Sequence, residues 1–301
     1  MIESFQSNGY LHVPHVIPEH LIESFKSLAN VLEAKALEAH KQGDQLIGAC
    51  VIEDKVGPRI MRCNDLYLHE FNLLNQLIAS PKLLKKIKEL CGPKAIVIQS
   101  DLLFKQQHPH PVIKWHQDAP TEDSSHFLNI GIYLDSADKD DGCLRYLPGT
   151  QHELQDIASI EKMFGWNPPG VVQVPAEPGD IIIQDMMVLH ASEPKRSEGA
   201  RRTVYIEVRS YEALVEEGIY NRDWIDLRKC WMGEILKYDE EDIYTDEEKA
   251  FFQNDHQPQE EVLIKKLHEV TSPSIPAAYG IFNVEGPNYP IPDNLKEKAT
   301  S

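Results

Sequence analysis

At 301 residues, with 42% apolar and 26% charged residues, the chain has the make-up of a globular protein with a sizeable core. Its 48 Asp and Glu against 30 Lys and Arg leave a net charge of -18, which repels nucleic-acid phosphates and anionic lipid, and weakly disfavours a polyanionic coenzyme A thioester. No apolar run approaches the roughly 18 residues that span a bilayer, so neither nucleic acid nor membrane is expected as a partner.

Residues 1–10, MIESFQSNGY, lack the basic and apolar regions of a secretory signal and carry Glu3 where a transit peptide avoids acids, so a cytoplasmic location is expected. Cys50, Cys63, Cys91, Cys143 and Cys230 are odd in number and form no CxxC. They read as reduced, packed thiols.

Ile17-Pro18 opens the clearest helix: Leu21, Phe25, Leu28, Leu32, Ala36 and Ala39 recur at three- and four-residue steps, and Gly43 follows. A second helix is framed by Ser80 as N-cap, Pro81 at the first position and Gly92 past the end, with Leu83, Leu84, Ile87 and Leu90 on one face. Both stripes are core packing that buttresses a sheet.

From Ala95 the texture changes to short β-rich runs: AIVIQSDLLF, PVIKWHQD, FLNIGIYLD, CLRYLPG, GVVQVPA, DIIIQDMMVLH and RRTVYIEVRS. Turn chemistry separates them, at Asp140-Asp141-Gly142, Pro148-Gly149-Thr150 and Glu177-Pro178-Gly179-Asp180. After Ser210 helical spacing returns through Trp224, Leu227, Trp231 and Ile235. An acidic, solvated stretch from Asp239 to Glu248 follows, and then an aromatic, Pro-rich tail, YGIFNVEGPNYPIP, placed to close over a site.

The expected fold is mainly β with helical additions: a double-stranded β-helix (jelly roll, cupin-like) over about residues 95–210, between an N-terminal helical buttress (1–94) and a C-terminal helical region and tail (211–301). The whole chain, 1–301, is expected to form one domain, as a monomer or homodimer.

Chemistry concentrates at the strand ends. Trp115-His116-Gln117-Asp118 puts two ligand-type residues two apart, where the period of a strand points both to one face. Alone, His-x-Asp is more readily a surface or hydrogen-bonded pair. About seventy residues on, His190 ends the apolar run DIIIQDMMVLH, and a barrel can bring the two ends together. Two imidazoles and one carboxylate form the set that suits oxygen-activating iron(II).

These segments resemble the phytanoyl-CoA dioxygenase family. The likeness runs from FQSNGYLHVPHVIPEHLIESF through DDGCLRYLPGTQH and EPGDIIIQDMMVLHAS to Arg201, about residues 5–208. The resemblance implies an Fe(II)/2-oxoglutarate-dependent dioxygenase that uses O2 to oxidise a C-H bond of a small molecule, by hydroxylation, desaturation or cyclisation, releasing succinate and CO2.

It further implies that His116, Asp118 and His190 hold iron(II), and that Arg201, eleven residues past His190, pairs with the distal carboxylate of 2-oxoglutarate. Strand period sets Arg201, Thr203 and Tyr205 on one face and Arg202 on the other, so Thr203 is placed to offer a hydroxyl to the same carboxylate. Lys105 stands where the family often has a residue reaching the co-substrate; an exposed strand-end lysine is the other reading. Related halogenases replace the metal carboxylate with a small residue, and Asp118 argues against that branch.

Gln99 and Asn129 face either the pocket or solvent. Arg59 and Arg62, in a loop around IGACVIEDKVGPRIMRCND, are candidates for pairing with a carboxylate-bearing small-molecule substrate or for surface ion pairs. His108-Pro109-His110, His126 and His152 read as structural or solvent-facing. Two rival functions are a barrel that binds a metal or ligand without turnover and a zinc hydrolase, for which the sequence supplies no general base.

Overall fold

The computed structural model describes residues 2–54, 56–108, 113–118, 127–253 and 258–271. The chain begins with helix α1 (Ile2–Asn8), strand β1 (Tyr10–Val13) and the long helix α2 (Glu19–Lys41), followed by β2 (Ala49–Ile52), β3 (Arg59–Asn64), α3 (Phe71–Ile78) and α4 (Pro81–Cys91). Seven strands and a helix then alternate with turns: β4 (Ala95–Gln106), β5 (Ile113–His116), β6 (Phe127–Tyr133), β7 (Leu144–Tyr146), α5 (Ile157–Phe164), β8 (Val172–Val174), β9 (Ile181–Asp185) and β10 (His190–Ser192). β11 (Ala200–Ser210) leads into α6 (Tyr211–Glu217), α7 (Arg222–Ile235), α8 (Asp246–Phe252) and α9 (Glu260–Glu269).

The strands form two antiparallel sheets, seven strands in the order β1-β9-β6-β11-β4-β3-β2 and four in the order β5-β10-β7-β8. This is the jelly roll expected from the short strands and their turns. Period-two alternation gives the larger sheet two uses. Its outer face presents Leu102, Ile130, Ile183, Val204 and Ile206 to a core shared with Phe25 of α2, Leu84 and Ile87 of α4 and Trp231 of α7. Its inner face meets the smaller sheet around Tyr133, Leu144, Tyr146 and Ile182, and leaves the cavity described below.

One local expectation holds in position and another is corrected. Ser80, Pro81 and Gly92 frame α4 as the sequence indicates, although the Ser80 hydroxyl makes no cap and turns back to the Gln76 carbonyl at 3.5 Å. The run DIIIQDMMVLH is not one strand: β9 stops at Asp185, whose carboxylate accepts from the Met187 amide at 2.9 Å, and the chain turns. His190 therefore begins β10 in the other sheet. Apolar content continued across the turn because both sides of it are buried, which hid the break.

The acidic stretch has a structural use. Asp239 accepts from the backbone of Ile243 and Tyr244, and Thr245 with Glu248 forms a capping box for α8. All five cysteines are free thiols. Among the described residues no helix is long and apolar enough to cross a membrane. The tail at 279–292, His126 and the Pro109-His110 part of the His-x-His lie outside the described residues.

Candidate metal centre and adjoining cavity

β5 and β10 are antiparallel neighbours in the smaller sheet, and their register sets His116 directly opposite His190. Asp118 follows β5, held by its own amide donating to the Met186 carbonyl at 2.8 Å. Between them Gln117 points the other way, donating to the carbonyls of Met187 (2.6 Å) and Glu153 (3.0 Å) and accepting from the Gln155 amide. The strand end is thereby pinned on the face opposite the site.

The outcome is a three-residue cluster whose ligand-type atoms all lie within 4.8 Å of one another. His116 Nε2 is 3.1 Å from Asp118 Oδ1, His190 Nε2 is 3.6 Å from Asp118 Oδ2, and the two rings are 4.1 Å apart. In each histidine Nδ1 faces a backbone carbonyl, Lys114 at 2.7 Å and Val188 at 2.9 Å. A carbonyl only accepts, so Nδ1 carries a proton in each ring and both Nε2 atoms are turned inward, that of His116 toward the Asp118 carboxylate and that of His190 toward the Gln184 amide. That is how metal-binding histidines are oriented by their surroundings. Burial, reinforced by His116, pushes His190 down to about 4, so its ring is neutral near pH 7.

Two amides from the larger sheet complete the setting. Gln184 of β9 donates to Asp118 Oδ2 at 3.0 Å and approaches His190 Nε2 at 3.1 Å, and its own carbonyl accepts from the Tyr146 hydroxyl at 2.6 Å. Asn129 of β6 donates to Asp118 Oδ2 at 3.3 Å. Against the upward push of burial, the imidazoles and Asn129 hold the Asp118 carboxyl below the usual carboxylate range. Sequence reading left Asn129 open and missed Gln184, whose only signal is a polar residue inside the apolar run IIIQD.

The triad borders a cavity of about 380 Å³ lined by both sheets and by Tyr220. Ser192 and Tyr205 form the wall behind which Arg201 and Lys105 lie. Arg201 is buried and donates to Thr203 Oγ1 at 2.8 Å and to the Tyr205 hydroxyl at 3.4 Å. Arg202 points outward to a bidentate pair with Asp135. Gly131 makes this packing possible, since a Cβ there would meet the Tyr205 ring at 2.9 Å. Lys105 is buried rather than exposed, and its Nζ donates to Ser192 Oγ. Burial, and then Arg201, push the Lys105 ammonium well below its ordinary range.

The remaining candidates separate cleanly. Gln99 and Asn129 both line the cavity. So does Arg62, whose Nη2 donates to Asp101, whereas Arg59 donates to the neighbouring Pro58 carbonyl and is not among the lining residues. His108 pairs with Asp54 at 3.3 Å and His152 is exposed beside Gln151, so neither joins the site.

Comparisons with known proteins identify the family and the fold. Residues 5–203 match the family described as Phytanoyl-CoA dioxygenase (PhyH). The dioxygenase lolE1 of Epichloe uncinata is 24% identical over 68% of this chain and 79% of its own length. The methylphosphonate hydroxylase of Gimesia maris is 23% identical over 78% of this chain and 91% of its own. Among solved structures, AviO1 from Streptomyces viridochromogenes superposes with a TM-score of 0.57 at 24% identity, covering 69% of this chain and 93% of AviO1, which establishes a shared fold.

Proposed function

The chain belongs to the phytanoyl-CoA dioxygenase family, and from that premise we propose that His116, Asp118 and His190 hold iron(II) while Arg201 holds the distal carboxylate of 2-oxoglutarate. Its class is that of the Fe(II)/2-oxoglutarate-dependent dioxygenases. When bound, iron(II), 2-oxoglutarate and O2 together supply the oxidant, with succinate and CO2 released. The described residues bind, orient and neutralise.

The observation that carries the reading is the convergence of two inward Nε2 atoms and one carboxylate at the edge of a cavity. This donor set suits iron(II) and leaves room for a chelating co-substrate, where a structural zinc site would close around the metal with a fourth protein ligand. Gln184 and Asn129 orient the carboxylate. Arg201 offers the planar fork that matches a carboxylate, with Thr203 at its side and Lys105 across the strand pair as a second cation.

We further read the chain as one oxygenase domain acting on a C-H bond of a small molecule, because the cavity is of small-ligand size. Asp118 occupies the position that halogenases leave small, which favours hydroxylation, desaturation or cyclisation. The test is anaerobic: iron(II) and 2-oxoglutarate are added to metal-free protein, and a visible metal-to-keto-acid charge-transfer band is expected. A folded protein that gives no band would overturn the reading.

A further inference from the structure

The inner face of β11 runs Arg201, Thr203, Tyr205, Glu207, and the matching face of β4 runs in register Lys105, Leu103, Asp101, Gln99. Same-face residues along a strand lie about 7 Å apart, so these paired rungs form a ruler along the cavity and past its wall. Gln99, Asp101, Leu103, Tyr205 and Glu207 line the cavity, and the cations Arg201 and Lys105 lie beyond the Ser192 and Tyr205 wall. Glu207 marks the opposite end, and across β6 it pairs with Asn129, which donates to Asp118. The metal donors therefore sit near the Glu207 end of the ruler.

Charge at that end does not balance. Arg62 is committed to Asp101, both side chains being largely withdrawn from solvent at 12% and 6% exposure, and Gln99 donates to the same carboxylate at 2.7 Å. That pair is neutral as a unit. Glu207 lines the cavity with no hydrogen-bond or ion-pair partner among the described residues. Burial, then Asp101 and Asp118, push its carboxyl up to about 8, with Arg62 opposing.

The backbone supports this placement. A β-bulge falls between Glu207 and Val208, where Ile98 of β4 is skipped in the pairing, and the Ile98 carbonyl accepts instead from Arg228 Nε at 3.0 Å. Bulges re-aim side chains beside active sites. Tyr220, another lining residue, stacks on Trp224 with ring centres 4.2 Å apart and so brings a fixed aromatic ring to the same end. Carboxylate and aromatic ring together are the surroundings that recognise an organic cation.

We propose that this end of the cavity binds the positively charged nitrogen of a small amine substrate, with Glu207 as its counter-charge and Gln99 and Tyr220 beside it. The bound nitrogen then lies within a few bonds of the carbon to be oxidised, because Glu207 is one strand pairing away from the residue that touches Asp118. Among the described lining residues Arg62 is the only Arg or Lys, and it is taken by Asp101, so a substrate carrying only a carboxylate meets no spare cation on this wall. The proposal rests on the oxygenase reading for the fate of the amine but not for its binding.

The test uses the full chain without metal and three probes matched in length, n-butylammonium, 1-butanol and butyrate, titrated by ligand-observed NMR. n-Butylammonium is expected to bind at least about tenfold more tightly than either of the others, and Glu207→Gln to reduce that preference to within about twofold. Equal binding, binding of none, preference for butyrate or an unchanged preference in the variant would each overturn the proposal. Thermal unfolding above pH 8, where Glu207 is ionised, gives a second readout: Glu207→Gln is expected to melt at the wild-type temperature or higher, as removal of an uncompensated charge requires, and a fall of several degrees would assign Glu207 a structural role instead. The charge-transfer band separates the two readings, since a missing band with an intact amine preference removes the oxygenase alone, and a band without the preference removes the amine site alone.

Discussion

Arg201 on β11 and Lys105 on β4 are direct cross-strand partners, two cations buried side by side. Burial first, and then the like charge of Arg201, push Lys105 toward its neutral form. In the proposed co-substrate site an incoming dicarboxylate would relieve the conflict. Lys105 also donates to Ser192, two residues beyond His190, so this cation pair and the His116/Asp118/His190 cluster share a wall.

Removal of the fork should therefore be costly for one ligand in particular. Arg201→Ala is expected to weaken 2-oxoglutarate binding by about 100-fold, in keeping with the roughly 2–5 kcal/mol lost on truncating one side of a buried charged contact. Arg201→Lys should recover part of this, and Lys105→Met should cost about tenfold. Titration of the charge-transfer band measures all three. An unchanged affinity in Arg201→Ala would mean that a different residue holds the distal carboxylate.

On the proposed ligand set iron(II) binds the folded triad alone, so saturating metal should raise the wild-type melting temperature under anaerobic conditions, at about 2.7 kcal/mol for metal at 100 times its dissociation constant. His116→Ala, Asp118→Ala and His190→Ala should each abolish that rise. The metal-free proteins supply the baseline, and a variant that still shows the full iron-dependent shift would remove that residue from the ligand set.

The parts of this site that were legible in sequence are those that obey strand period. Arg201, Thr203 and Tyr205 share a face because alternation is strict along β11, and the prediction that Arg202 points away holds in its pairing with Asp135. His116 facing His190 is a matter of register between chain segments seventy residues apart, which only the spacing of the likeness could suggest. Gln184 was hidden because its signal is a single polar residue in an apolar strand, and its partner Tyr146 comes from the opposite sheet. Glu207 was hidden for a related reason: its meaning depends on Arg62 being taken by Asp101, a contact between β3 and β4 that local pattern does not record.

Glu207 also has a pH signature. Its carboxyl is raised from 4.5 to about 8, so between those values the folded protein holds a proton that the unfolded chain releases. Stability must then fall as pH rises through this window and level off above it. The groups facing Glu207 are Asp101 and Gln99 on β4, Asn129 on β6, Arg62 on β3, Asp118 and Tyr220. Glu207→Gln should match wild type near pH 4.5 and exceed it by roughly 2–8 °C above pH 8 in metal-free protein. A constant difference across that range would show that the carboxyl titrates normally.

Gln184 couples the two sheets at the metal centre, and the coupling can be measured. The Tyr146 hydroxyl donates to Gln184 Oε1, which fixes the amide so that Nε2 faces Asp118 and His190 rather than the reverse. Tyr146→Phe releases that constraint and should weaken iron(II) binding about threefold to tenfold. Gln184→Leu removes the donor itself and should weaken it about 10- to 100-fold, the usual range for residues that orient metal ligands. It should also cost roughly 1–3 kcal/mol of stability, because the Tyr146 hydroxyl is left buried without its acceptor. If Tyr146 acts on the metal only through Gln184, the double variant will bind iron(II) no more weakly than Gln184→Leu alone. Effects that add in the double variant would instead mean that Tyr146, which packs against His190 with ring centres 5.9 Å apart, orients the imidazole by a route of its own.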